Sequence, residues 1–135
     1  MELERAAPVA GILGCLAAAL TFVAPYVAAS GWGAELGRYY AAGPVGVTAV
    51  VFLALLGVVV FLAAFRGRTD PDVAAGIALV LGVTMVAIAV SWALVVPLDV
   101  VYGYPGSWIT DHRWYLVAST AVVSVAAAAY ARAVV

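Results

Sequence analysis

VGVTAVVFLALLGVVVFLAAF, residues 45–65, runs for twenty-one residues without an Asp, Glu, Lys, Arg or His. At about 1.5 Å of rise per residue, a helix of that length covers the roughly 30 Å hydrocarbon core of a bilayer. Lipid offers a backbone amide no partner, so such a stretch crosses as a helix that satisfies its own hydrogen bonds. Three more segments share the pattern, residues 6–29, 73–98 and 114–131, and none carries an Asp, Glu, Lys, Arg or His. The composition agrees, with 67% hydrophobic residues and 10% charged ones, against about a quarter charged for soluble domains. The expected fold class is therefore all-α membrane, one domain over residues 1–135, with four transmembrane helices in an up-down-up-down antiparallel bundle.

Punctuation between the spans supports this division. Asp70 before Pro71 supplies an N-cap acceptor and a first-turn residue whose missing N–H costs nothing, so a helix is expected to start there. Thr110 or Asp111 is expected to cap the fourth helix, placing His112 and Arg113 in its first turn at the water boundary. Pro25 predicts a kink or early end near Tyr26. The first segment reads as a true span and not a secretory signal, because its apolar run is long and MELERA is more acidic than basic. Close helix approach in lipid requires small residues, and the candidate packing positions are Gly11, Gly57, Gly82 and Ser124.

Arginine placement gives the orientation. Arg5, Arg66, Arg68 and Arg132 fall on one side and Arg38 and Arg113 on the other, which predicts both termini in the cytoplasm of a multi-pass cell-membrane protein. Residues 66–72 then form an inner turn, and residues 30–43 and 99–113 form outer loops. Ten of the eleven Trp and Tyr residues lie on or near that outer side, and Tyr130 alone lies near the inner one. An aromatic outer cap follows, with interaction candidates Trp32, Glu35, Arg38, Tyr39, Tyr40, Asp99, Tyr102, Tyr104, Trp108, Asp111, His112 and Arg113. Within it, Glu35 or Asp99 is expected to pair with Arg113, and Arg38 with Asp111.

Several functions find no support in these residues. A net charge of −1 with scattered arginines argues against a nucleic-acid partner. One histidine with dispersed carboxylates lacks the ligand spacing of a metal site, and no cofactor is expected. Ser107, Asp111 and His112 have the residue types of a hydrolase triad. An Asp and a His adjacent on a helix point apart, however, so no catalytic residue is assigned. Cys15 lies in an apolar span and reads as a packing thiol. Coupled transporters usually carry ionisable residues inside their spans, and this chain has none there. The expected function is thus a non-catalytic one, an accessory or scaffold subunit contacting the lipid bilayer and either a partner membrane protein or further copies of itself. The alternative is a homo-oligomeric channel or small-solute transporter lined by Ser and Thr.

In overall plan the chain resembles tetraspan proteins such as tetraspanins and claudins, but only in topology. It lacks the CCG motif and outer-loop disulfides of the former and the Trp-Cys-Cys pattern of the latter. The segments YYAAGPVG and YPGSW, with the Ala, Val and Arg bias, are similar to those of small uncharacterised haloarchaeal four-helix membrane proteins. That resemblance implies a cell-envelope location and no mechanism.

Overall fold

The computed structural model describes residues 2–28 and 31–135. Six helices follow one another: α1 (Glu2–Ala28), α2 (Gly33–Ala41), α3 (Thr48–Phe65), α4 (Pro71–Ala93), α5 (Leu98–Gly103) and α6 (Ile109–Val134). The described residues contain no strand. The four long helices, α1, α3, α4 and α6, are each long and apolar enough to cross a membrane. Around the bundle, α1 packs on α3 and α6, and α4 packs on the same two helices.

Small residues set how closely the helices approach. A Cβ added to Gly82 of α4 would lie 2.9 Å from Ser124 Cα of α6, so this crossing brings backbone against backbone. Likewise, a Cβ on Gly57 of α3 would stand 2.7 Å from Cys15 Sγ of α1, and one on Gly11 would enter the Phe61 ring. Where lipid replaces water, such contacts hold helices together by dispersion, which depends on near-contact distances. Outward, the bundle presents Leu13, Leu20, Phe52, Leu56, Val80 and Val125, all exposed.

The connection between α3 and α4 is built from neighbours in sequence. Gly67, at φ 66°, takes the left-handed conformation that ends α3, and its N–H donates to Ala64 O at 3.1 Å while that of Arg68 donates to Ala63 O at 2.9 Å. These are the two bonds of a Schellman stop. Asp70 then accepts from the Asp72 N–H at 2.9 Å, capping α4 with Pro71 in its first turn as the sequence predicts. Near this turn Ala7, Ala74, Ala75 and Tyr130 pack together, joined by Ala64, so the start of α1, the end of α3, the start of α4 and the end of α6 meet.

The other end departs from the sequence expectations. Residues 30–43 and 99–113, expected as loops, contain α2 and α5, two short helices that lie against each other. The positions of Ala29 and Ser30 fall outside the described residues. Neither Thr110 nor Asp111 caps α6, which begins earlier, at Ile109, with no side-chain cap on its N-terminus. A tight turn starts that helix instead, through Thr110 N to Ser107 O (3.3 Å) and Asp111 N to Trp108 O (3.1 Å). Thr110 Oγ1 donates back to Ser107 O at 2.9 Å, so its hydroxyl is engaged before it can reach the amides ahead of it.

Candidate functional site

The site begins with a proline inside a helix. Pro25 has no N–H, so the carbonyl of Thr21, four residues earlier in α1, loses its usual donor. His112 of α6 supplies a replacement, with Nε2 2.6 Å from Thr21 O. Tyr40 of α2 donates its hydroxyl to Phe22 O at 2.5 Å, and Tyr104, just after α5, donates to Pro25 O at 2.7 Å. Three side chains from three segments thus hold the carbonyls of one helix end.

These bonds fix the state of the histidine. A carbonyl oxygen only accepts, so Nε2 carries a proton, and in the neutral ring Nδ1 accepts from the Tyr39 hydroxyl at 3.0 Å. Trp92 of α4 donates its indole N–H to the backbone carbonyl of the same Tyr39 at 2.6 Å. A continuous path therefore runs from α4 through α2 and the imidazole of α6 to α1. His112 is 1% exposed, which corrects the expectation that it sits at the water boundary. His112 is the fourth residue of α6, and it is buried because it falls on the face of that helix that packs against α1.

Aromatic rings fill the space around this path. Tyr40 stacks on Phe22 with centroids 4.1 Å apart, and Tyr39 meets Trp92 edge-on at 5.1 Å. Trp108 lies edge-on to both His112 (5.8 Å) and Tyr104 (5.6 Å), and Trp32 meets Tyr104 at 5.4 Å. Such pairs contribute about 0.5–1.5 kcal/mol each beyond area burial. Burial pushes the Tyr39 hydroxyl far above the ordinary phenol range, with the charge of Arg113 opposing in part. Burial does the same to Tyr40, reinforced by the neighbouring phenols.

The charged candidates arrange themselves differently from expectation. Arg38 pairs with Asp99 at 3.0 Å and not with Asp111, because the last turn of α2 faces the first turn of α5. The Arg38 guanidinium holds the Asp99 carboxyl below the usual range. Both side chains are exposed, so the pair sets orientation more than stability. Neither Glu35 nor Asp99 pairs with Arg113. Instead Glu35 Oε2 and Arg113 Nε and Nη1 are buried without a hydrogen-bond partner among the described residues. The Arg113 guanidinium lies 5.7 Å from the Trp114 ring.

The structure brings Trp32, Tyr39, Tyr40, Tyr104, Trp108 and His112 into one cluster. Tyr102 and Asp111 stay exposed outside it. Thr21, Phe22, Pro25 and Trp92 belong to the site and are not among the sequence candidates. A signal exists for the first, since a proline within a helix predicts a carbonyl in need of a donor at i−4. Among the described residues no group of three His, Cys, Asp or Glu is placed to hold a metal. Both nitrogens of His112 are already engaged, so a metal or haem iron would have to displace Tyr39 or Thr21.

No curated protein and no solved structure matches the chain. The chain belongs to the family of unknown function DUF7548, which it matches over residues 1–135.

Proposed function

We propose that this chain is a four-span integral membrane protein, up-down-up-down, with both termini cytoplasmic and the α2–α5 cap outside. In this reading it acts without catalysis, as an accessory or scaffold subunit of a membrane complex. The observation that carries the proposal is the contrast between surface and interior. Large apolar side chains cover the outside of all four long helices, a surface that water does not tolerate on a monomer of this size, while His112, Tyr40 and Tyr104 turn their polar atoms inward to hold α1. Packing of Ala7, Ala74 and Tyr130 at one end, away from the cap, supports the antiparallel order. Arg66 and Arg68 lie in the short turn at that end, which supports the cytoplasmic assignment.

Two surfaces suit contact with a partner. Between α1 and α6 runs an open apolar groove of about 410 Å³, lined by Leu3, Ala6, Ala10, Val122, Val125 and Ala129, where a neighbouring helix can approach the small residues closely. At the cap, Val45, Leu98, Tyr102 and Trp108 are each exposed. The channel alternative gains little, because four of the hydroxyls that would line a polar path are spent on their own helices, while Ser124 Oγ is buried without a hydrogen-bond partner among the described residues. Thr21 donates to Ala17 O, Ser91 to Ile88 O, Ser119 to Tyr115 O and Thr120 to Val117 O. Native mass spectrometry of a gentle membrane extract tests the proposal. A stoichiometric second membrane protein is expected, and a chain that flies only alone or with its own copies sinks the partner role.

A further inference from the structure

The one histidine of this chain is buried where four segments meet, and its two nitrogens have opposite and fixed tasks. Nε2 donates a hydrogen bond to Thr21 O, and Nδ1 of the neutral ring accepts one from the Tyr39 hydroxyl. We propose that the cap is an acid-released clamp, in which protonation of Nδ1 on His112 reverses its bond with Tyr39, strands the Tyr39 hydroxyl hydrogen and buries a cation, and so frees α2 while the four long helices stay packed.

A proton on Nδ1 turns an acceptor into a donor and sets an N–H against an O–H. Tyr39 must then turn its hydroxyl hydrogen elsewhere, and what surrounds it is aromatic. Facing the imidazole are Tyr39 and Tyr40 from α2, Trp92 from α4, and Trp108 from the turn before α6. From α1 come only the Thr21 carbonyl and, beyond Tyr40, the Tyr26 ring. Tyr104, past Trp108, has its hydroxyl committed to Pro25 O. On α6 itself Arg113 follows His112, and its charge reaches Tyr39, so the new imidazolium gains a like-charged neighbour. The carboxylates of the region lie elsewhere. Asp111 is exposed, Asp99 is paired with Arg38, and Glu35 sits one turn before Tyr39 with no hydrogen bond to the ring.

The hinge geometry says which part yields. α2 is nine residues long, too short to persist as a helix once its tertiary contacts are lost. Glycines with left-handed backbones stand on both sides of it, Gly31 at φ 82° before and Gly43 and Gly46 at 85° and 81° after. Its hydrogen bonds to the bundle are Tyr39 on His112, Tyr40 on Phe22 O and Trp92 on the Tyr39 carbonyl, beside the buried Leu36, Tyr39 and Tyr40 side chains and with the exposed Arg38–Asp99 pair outside. Reversal of the first bond turns the Tyr39 hydroxyl, and with it loosens the residue that the third bond depends on. No Asp, Glu, Lys, Arg or His lies in residues 114–131 or in α3, and the acids of the other long helices, Glu2 and Glu4 of α1 and Asp72 of α4, lie in their first turns at the end away from the cap.

A single histidine makes the test direct. The full chain, labelled with ¹⁵N-histidine in lipid nanodiscs, reports the protonation of both ring nitrogens. In a W32F/W114F background, acrylamide quenching reads Trp92 and Trp108. Lowering the pH from about 7.5 to about 4.5 should protonate Nδ1 of an initially Nε2–H ring and raise the quenching constant several-fold with the same midpoint. H112Q, which keeps an N–H for Thr21 O but does not titrate, should hold one quenching level throughout. Y39F deletes the clamp bond and no charge, and should be strongly quenched already at the higher pH. The clamp is overturned by a ring that stays neutral across the range, by protonation without a change in quenching, by equal acid quenching in H112Q, or by Y39F as shielded as the parent. Partner capture plays no part in these readouts, so the clamp is judged separately from the accessory role.

Discussion

Between α3 and α4 the chain reverses on bonds among near neighbours, Arg68 to Ala63 and Asp72 to Asp70, whereas at Pro25 the carbonyls of α1 are met by side chains 18, 79 and 91 residues away. Both ends solve the same problem, a helix terminus or break with unpaired backbone groups. One end uses glycine, proline and aspartate in a fixed local order. The other recruits a histidine and two tyrosines from three different segments. A local solution tolerates the loss of one bond, because water and the remaining turn replace it. A buried network does not, since each deleted partner leaves another group dry and unpaired.

Substitution at the two ends should therefore differ in scale. H112A removes the donor to Thr21 O and the acceptor for Tyr39 and leaves a void, so a loss of about 3–5 kcal/mol is expected in reversible unfolding in detergent. Alkaline titration probes the same network from α2. Because burial raises the folded-state pKa of Tyr39 and Tyr40, their contribution is fully present below the ordinary tyrosine value of about 10 and is lost progressively as the pH rises above it. From neutral pH upward, thermal midpoints should be flat to about that value and then fall, and Y39F should fall less steeply. At the opposite end, D70A is expected to cost only about 1 kcal/mol, as for an ordinary N-cap. Smallest of all, R38A should leave the melting temperature within error, because both partners of the Asp99 pair are exposed.

The same contrast separates what is legible in the sequence from what is not. Uncharged runs of spanning length mark α1, α3, α4 and α6, because the number of apolar residues needed is set by geometry alone. Asp70-Pro71 marks the start of α4 because capping acts over two or three residues. The charged neighbours Asp111 and Arg113 point to a surface position for His112, yet neighbours in sequence say little about which side of a helix faces the protein. α2 carries charges at Glu35 and Arg38 and reads as loop, although Leu36, Tyr39 and Tyr40 share its buried side. The long-range pairings are beyond reach, except that Pro25 announces a carbonyl without a donor at Thr21. Which donor comes depends on α6 starting at Ile109.

From that dependence follows the central claim, that His112 is buried to serve the carbonyl freed by Pro25. Equilibrium stabilities of the parent, P25A, H112A and P25A/H112A form the cycle that measures it. Because the P25A substitution restores a backbone donor to Thr21 O, the cost of H112A should shrink by about 1 kcal/mol or more relative to the parent background. Additive costs within about 0.3–0.5 kcal/mol would contradict the claim.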